Sequence, residues 1–119
     1  MTTATSTAPQ SRLRSNTIAD GFRRAAAKFR GKLALTFLDR RWTYRELEAA
    51  AGRVALGLID LGVAKGDRVA AYARNSDSYL ILWLACTRAG FVHVPINYAL
   101  TAGELSYIVK QSGARMLIH

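Results

Sequence analysis

The sequence predicts an α/β fold, a layered and largely parallel sheet with flanking helices. Three observations carry this. First, Gly66–Asn97 runs short, long, short. An apolar run from Arg68 to Ala73 meets the polar turn Arg74-Asn75-Ser76-Asp77. A longer apolar run, Tyr79 to Ala89, stops at Gly90, and a second short run, Phe91 to Val94, ends at Pro95. That is the pattern of a strand–helix–strand unit. Second, helical and extended patterns alternate from residue 17 onward, as they do in parallel-sheet domains. Third, Thr43-Tyr-Arg-Glu46 and Thr101-Ala-Gly-Glu104 are capping boxes, each opening a periodic segment.

In order, the chain opens with a helix capped by Thr17, with Asp20 at its positive end. Ile18, Phe22, Ala25 and Phe29 form its apolar face, Lys28 and Arg30 suit its negative end, and Gly31 stops it. Lys32 to Leu38 reads as a strand, Asp39-Arg40-Arg41 as a tight turn, and Trp42-Thr43 as the start of a return. Trp42 has the chemistry of a ligand platform, but packing on the hairpin is the simpler role. The second helix places Tyr44, Leu47, Ala51, Val54, Leu58 and Leu61 on one face, and Gly62 ends it. The helix after Asp77 is apolar nearly all round, from Tyr79 to Cys86, so it must be covered by protein on most sides. The strand–helix–strand crossover is expected to be right-handed. His93 alternates with apolar residues on the second strand, with no acid or nucleophile beside it in sequence. Pro95 to Tyr98 is a turn. The last helix turns Leu105, Ile108 and Val109 inward, stops at Ser112-Gly113, and leads to a short strand from Arg115 to Ile118.

Length and composition narrow the function classes. The chain has 119 residues, half of them hydrophobic, which is enough for one packed domain and too apolar for a disordered chain. The single cysteine, Cys86, forms no intrachain disulfide and no metal site. Its apolar run marks it as a buried residue of a reducing, cytoplasmic protein. The N-terminal stretch lacks the apolar core of a secretory signal, and residues 1–16 are expected to be a flexible tail. The formal net charge is +9, and residues 1–53 hold eleven Lys/Arg against four Asp/Glu. Such a half can attract polyanions, but its cations interleave with apolar residues at helical spacing, as on a solvated face. No nucleic-acid module accompanies them. No catalytic, cofactor-binding or metal-binding residue is assigned.

Two longer stretches carry a resemblance. Arg40 to Ser76 contains Thr43-Tyr44-x-Glu46-Leu47, Gly62-Val63-x-x-Gly66-Asp67-Arg68-Val69 and Asn75-Ser76. Trp83 to Ile118 contains Ala85-x-x-x-Ala89-Gly90-x-x-x-x-Pro95-x-Asn97 and Glu104-Leu105-x-Tyr107-x-x-x-x-Ser112-x-Ala114. In this order and spacing they resemble the N-terminal segment of the AMP-forming acyl-CoA synthetases, fatty-acid–CoA ligase-like members of the adenylate-forming superfamily. The resemblance implies that residues 17–119 are the incomplete N-terminal part of an AMP-binding domain, a partial first subdomain. It implies ATP, Mg²⁺ and coenzyme A for the complete enzyme and none of them bound by this segment. The Ser/Thr/Gly-rich phosphate loop, the metal acid, the ribose Asp and the catalytic Lys of that family lie beyond the matched region, so none is carried over.

The expected function is therefore a segment of an ATP-dependent acyl-CoA synthetase, inactive alone, whose partner is the remainder of that enzyme. An alternative is a free-standing, non-catalytic α/β module that binds a protein through its apolar helix and unpaired sheet edge. A binder of nucleic acid or anionic membrane is the third class. No nucleic-acid partner is expected, while a weak peripheral membrane contact stays open if the acid is lipid-derived.

Overall fold

The structure is a computed structural model that describes residues 18–119. The expected tail and the cap at Thr17 lie outside the described residues. Helix α1 (Ile18–Lys28) is followed by strands β1 (Leu33–Phe37) and β2 (Arg40–Thr43), helix α2 (Tyr44–Asp60) and strand β3 (Arg68–Tyr72). Helix α3 (Asp77–Ala89), strand β4 (Val92–Ile96), helix α4 (Ala102–Ser112) and strand β5 (Met116–Ile118) complete the order. β3, β4 and β5 form a parallel sheet in the order β4-β3-β5, and β1 pairs with β2 as a separate antiparallel hairpin. The layered α/β arrangement read from the sequence is present.

The local reasons are visible. In both capping boxes the Thr side chain accepts from the N3 backbone N–H and the Glu side chain accepts from the cap's own N–H. Ser76 caps α3 in the same way, accepting from Tyr79 N at 3.2 Å, so the helix begins at Asp77, before the apolar run itself. Gly90 closes α3 in the left-handed region, φ 80°, with its N–H donating to the Cys86 carbonyl.

The main core lies between α2, α3 and one face of the sheet: Leu58, Val63, Val69, Ala71, Leu82, Cys86 and Phe91. A second cluster, Leu47, Ala50 and Ile81, is covered by α1 and the hairpin through Phe22, Leu35 and Trp42. The other sheet face is thinly covered, for α4 has no fully buried residue, so Leu105, Ile108 and Val109 are only half-buried. Among the described residues no helix is long and apolar enough to cross a membrane.

Several boundaries differ from expectation. The hairpin turn is Leu38-Asp39, not Asp39-Arg40-Arg41. Arg40 and Arg41 pair in register with Phe37 and Thr36, and Leu38 takes the positive φ (55°) of a tight hairpin without being glycine. β4 continues through Pro95 to Ile96. Val92 N donates to Asp67 O on the β3 side, so alternation turns Val94 and Ile96 the same way and aims the Pro95 nitrogen at the outer edge. Leu61 and Ile18, expected on apolar faces, are 68% and 59% exposed. Leu61 is the α2 C-cap and Val63 fills the core in its place; Ile18 is the first residue of α1, ahead of the packed turns.

Candidate functional site

Parallel α/β sheets place ligands outside the carboxyl ends of their strands, where successive connections diverge. Here β3 is central, its successor β4 lies on one side and β5 on the other, so the divergence falls at the end of β3. The sequence brings Arg74, Asn75 and Ser76 there from β3, Asn97 and Tyr98 from β4, and His119 from β5. The Tyr72 hydroxyl lies within 2.9 Å of the Tyr98 carbonyl and 3.0 Å of the Leu100 carbonyl, donating to that loop. The Arg74 guanidinium sits 4.9 Å from the Tyr98 ring centroid. Asn97 Oδ1 accepts from Ala99 N at 2.9 Å. The Asn75-Ser76 and Pro95-Ile96-Asn97 motifs therefore meet at one rim, which no local pattern announces.

Two open hollows adjoin this rim. One, of 360 Å³, is lined by Asn75, Ser76, Tyr79, Leu80 and Trp83 along the start of α3. The other, of 520 Å³, is lined by Tyr72, Leu105, Leu117 and His119 on the thinly covered sheet face. Both are walls rather than enclosed sites. The apolar α3 is thus buried along its inner side by α2 and the sheet but keeps one open flank.

A polar clamp fixes the start of α3, and sequence reasoning missed it. Asp77 is buried, 2% exposed, and holds Arg40 through Nε at 2.5 Å and Nη2 at 2.8 Å. Trp42 Nε1 donates to the same carboxylate at 3.0 Å and Ser78 N at 2.9 Å. The Arg40 hydrogen bonds, then those of Trp42 and Ser78, hold the Asp77 carboxyl well below the usual carboxylate range against the opposing effect of burial. Trp42 is half-buried against the second core cluster, as a packing residue would be, and its indole N–H is used as well. Every acceptor on Asp77 is engaged, so the clamp is structural.

The remaining titratable groups offer little chemistry. Cys86 is fully buried and burial pushes its thiol up to about 11, which leaves it protonated and without nucleophilic character. His93 faces the Tyr79 ring edge-on at 5.3 Å; its Nε2 is buried without a hydrogen-bond partner, and burial lowers its pKa. Neither an acid nor a nucleophile bonds to it among the described residues. No group of three His, Cys, Asp or Glu that could hold a metal occurs among them. The positive-φ glycines Gly62, Gly66, Gly90 and Gly113 are single residues in separate turns, not a loop of converging N–H groups. Among the described residues the donor set therefore does not fit Mg²⁺ or a nucleoside triphosphate, and no reaction step is assigned to them.

Comparison with known proteins supplies the context for these walls. The family described as AMP-binding enzyme matches residues 22–119. The long-chain-fatty-acid–CoA ligase FadD13 of Mycobacterium tuberculosis is 43% identical over 81 residues, 68% of this chain and 16% of that protein. The fatty acid–[acyl-carrier-protein] ligase ScoC of Streptomyces coeruleorubidus is 41% identical over 75 residues, 63% of this chain and 14% of that one. Among solved structures, the N-terminal subdomain of Klebsiella oxytoca NpsA superposes with a TM-score of 0.79 at 32% identity, covering 86% of this chain and 27% of that chain. The chain thus spans about one sixth of the length of these curated relatives.

Proposed function

The chain belongs to the AMP-binding enzyme family, and from that premise we propose that it is the first part of the acid-activating domain of an ATP-dependent acyl-CoA synthetase. The match over residues 22–119 carries the reading. In the complete enzyme a carboxylate attacks the α-phosphate of ATP, forming an acyl-adenylate and releasing pyrophosphate. The thiol of coenzyme A then attacks the acyl carbon, forming the thioester and releasing AMP. A fatty acid is the proposed acid, since two of the similar proteins carry fatty-acid ligase names.

The contribution of this chain is mechanical. β3, β4 and β5 form the start of a parallel sheet, and α3 braces it on one side. The Tyr72–Tyr98 and Arg40–Asp77 contacts fix the loops at the carboxyl rim. The open flank of α3 and the thinly covered sheet face are proposed to receive the following elements of the domain, so the partner of this segment is the remainder of the same enzyme. ATP, Mg²⁺ and coenzyme A are bound by that remainder.

Acid-dependent ATP–pyrophosphate exchange tests this division of labour. The 119-residue chain alone is expected to give no exchange above the acid-free blank with any carboxylic acid. Exchange that rises with enzyme and acid concentration would place the chemistry on this chain and overturn the reading.

A further inference from the structure

The basic first half of the chain has no role in the account above, and the fold gathers part of it. Between α1 and α2 runs an open groove of 230 Å³ lined by Arg23, Ala26, Ala27, Arg30, Arg45 and Glu48. The two walls are tied together by Arg45 N donating to the Arg30 carbonyl at 3.1 Å. The floor is made of alanines, of which Ala26 is buried, so a third backbone can come close. The acid that lines the groove is already neutralised, Glu48 pairing with Arg88 at 2.7 Å, and Arg23 is engaged by Asp20 at 3.1 Å. Arg30 and Arg45 are exposed and have no ion pair to an acid among the described residues. Lys28 and Lys32 stand beside them, each about 5 Å from the Phe29 ring.

We infer that this groove docks an acidic amphipathic helix of a partner protein, with its small apolar face on Ala26 and Ala27 and its carboxylates on Arg30 and Arg45. The shape decides among polyanions. A concave groove with an alanine floor receives a helix ridge, whereas a lipid surface needs a flat or convex face. Nucleic acid is disfavoured because the nearby rings are already engaged: Phe22 and Phe29 each pack on Tyr44 at 6.1 Å, and Lys28 and Lys32 lie over Phe29, leaving no free platform for bases. Arginine is also the cation suited to paired carboxylates, through its planar fork. Arg30 lies just past the end of α1 and Arg45 in the first turn of α2, joined by the Arg45 N–Arg30 O hydrogen bond, so the two suit carboxylates one turn apart on a helix lying alongside. This inference does not depend on acid activation.

The probe is a labelled helical peptide of about 20 residues with Glu pairs one turn apart beside an Ala face, titrated with the whole chain by fluorescence anisotropy at low salt. Its control is the same composition with the Glu positions scrambled. The patterned peptide is expected to bind, and Arg30→Glu with Arg45→Glu to weaken it at least about tenfold. Ala27→Arg, which adds a cation but fills the floor, is expected to weaken it too. Circular dichroism checks the fold, and the milder Arg30→Ala with Arg45→Ala replaces the reversals if they unfold the chain. The inference is overturned if the patterned peptide does not bind, if the scrambled one binds equally, or if Ala27→Arg tightens binding. It is also overturned if phosphatidylglycerol vesicles hold the chain at about 150 mM salt, where the peptide is released.

Discussion

Trp42→Phe isolates the clamp at the start of α3. Phenylalanine keeps an aromatic ring against Leu47, Ala50 and Ile81 but removes the Nε1–H that donates to Asp77 at 3.0 Å. A hydrogen bond to a charged acceptor contributes about 1.5–3 kcal/mol, and the smaller ring forfeits roughly 1 kcal/mol more in packing. The expected loss is therefore about 2–4 kcal/mol, which in a domain of this size lowers Tm by on the order of 10 °C or more. Urea unfolding followed by circular dichroism measures it. The pH dependence separates the two causes. The Asp77 carboxyl is held below its unfolded value, so its stabilisation is present above about pH 4 and is lost as pH falls toward the folded pKa. Removing one donor raises that folded pKa, so the mutant takes up the proton first. The gap between wild type and mutant should therefore narrow once pH falls below the mutant's folded pKa, itself below about 4. A gap that stays constant as pH falls through the mutant's folded pKa, located by titrating the mutant's Asp77 carboxyl with NMR, would refute the charged hydrogen bond and leave only packing.

Four further outcomes follow from single residues. Thr43→Ala removes the hydroxyl that accepts from Glu46 N at 3.2 Å and should cost about 1 kcal/mol in urea unfolding; Thr101→Ala, capping a helix with no fully buried residue, should show mainly as faster amide exchange in α4. Gly90→Ala forces a side chain into φ 80° with its Cβ 2.9 Å from Lys65 Cγ, and should destabilise by about 1–2 kcal/mol by the same measurement. His93 is kept neutral by burial, its folded pKa below the unfolded one, so stability should fall as pH drops below about 6.5; His93→Leu should abolish that slope, and a slope that survives would place the titrating group elsewhere.

What the sequence reveals depends on how local the cause is. Capping boxes, the glycine stop at Gly90 and the apolar face of α2 act within a few residues, and they are present where the pattern puts them except at Leu61, which falls past the helix end and is exposed. The central β3–α3–β4 unit was legible for the same reason. Pro95 misled because a proline is excluded only from a paired N–H, and whether its nitrogen faces a neighbour depends on strand order. The turn at Leu38-Asp39 was displaced because arginine pairs carry no strand signal, and a leucine at positive φ gives none for a turn. Arg40 and Asp77 are far apart in sequence, so their bond exists only once the hairpin is laid across α3. The same holds for the candidate rim: Tyr72, Arg74 and Tyr98 were read as strand end and turns, and only the parallel pairing of β3 and β4 brings them together.

The central claim is that this chain supplies the frame and not the chemistry of an acid-activating enzyme. Replacing the matching segment of the Mycobacterium tuberculosis ligase FadD13 with this chain, and assaying ATP–pyrophosphate exchange on a long-chain fatty acid, tests it most directly. The account predicts a folded chimera that retains exchange within about tenfold of the parent, a barrier change of no more than about 1.4 kcal/mol. A soluble, cooperatively folded chimera with no exchange would contradict it.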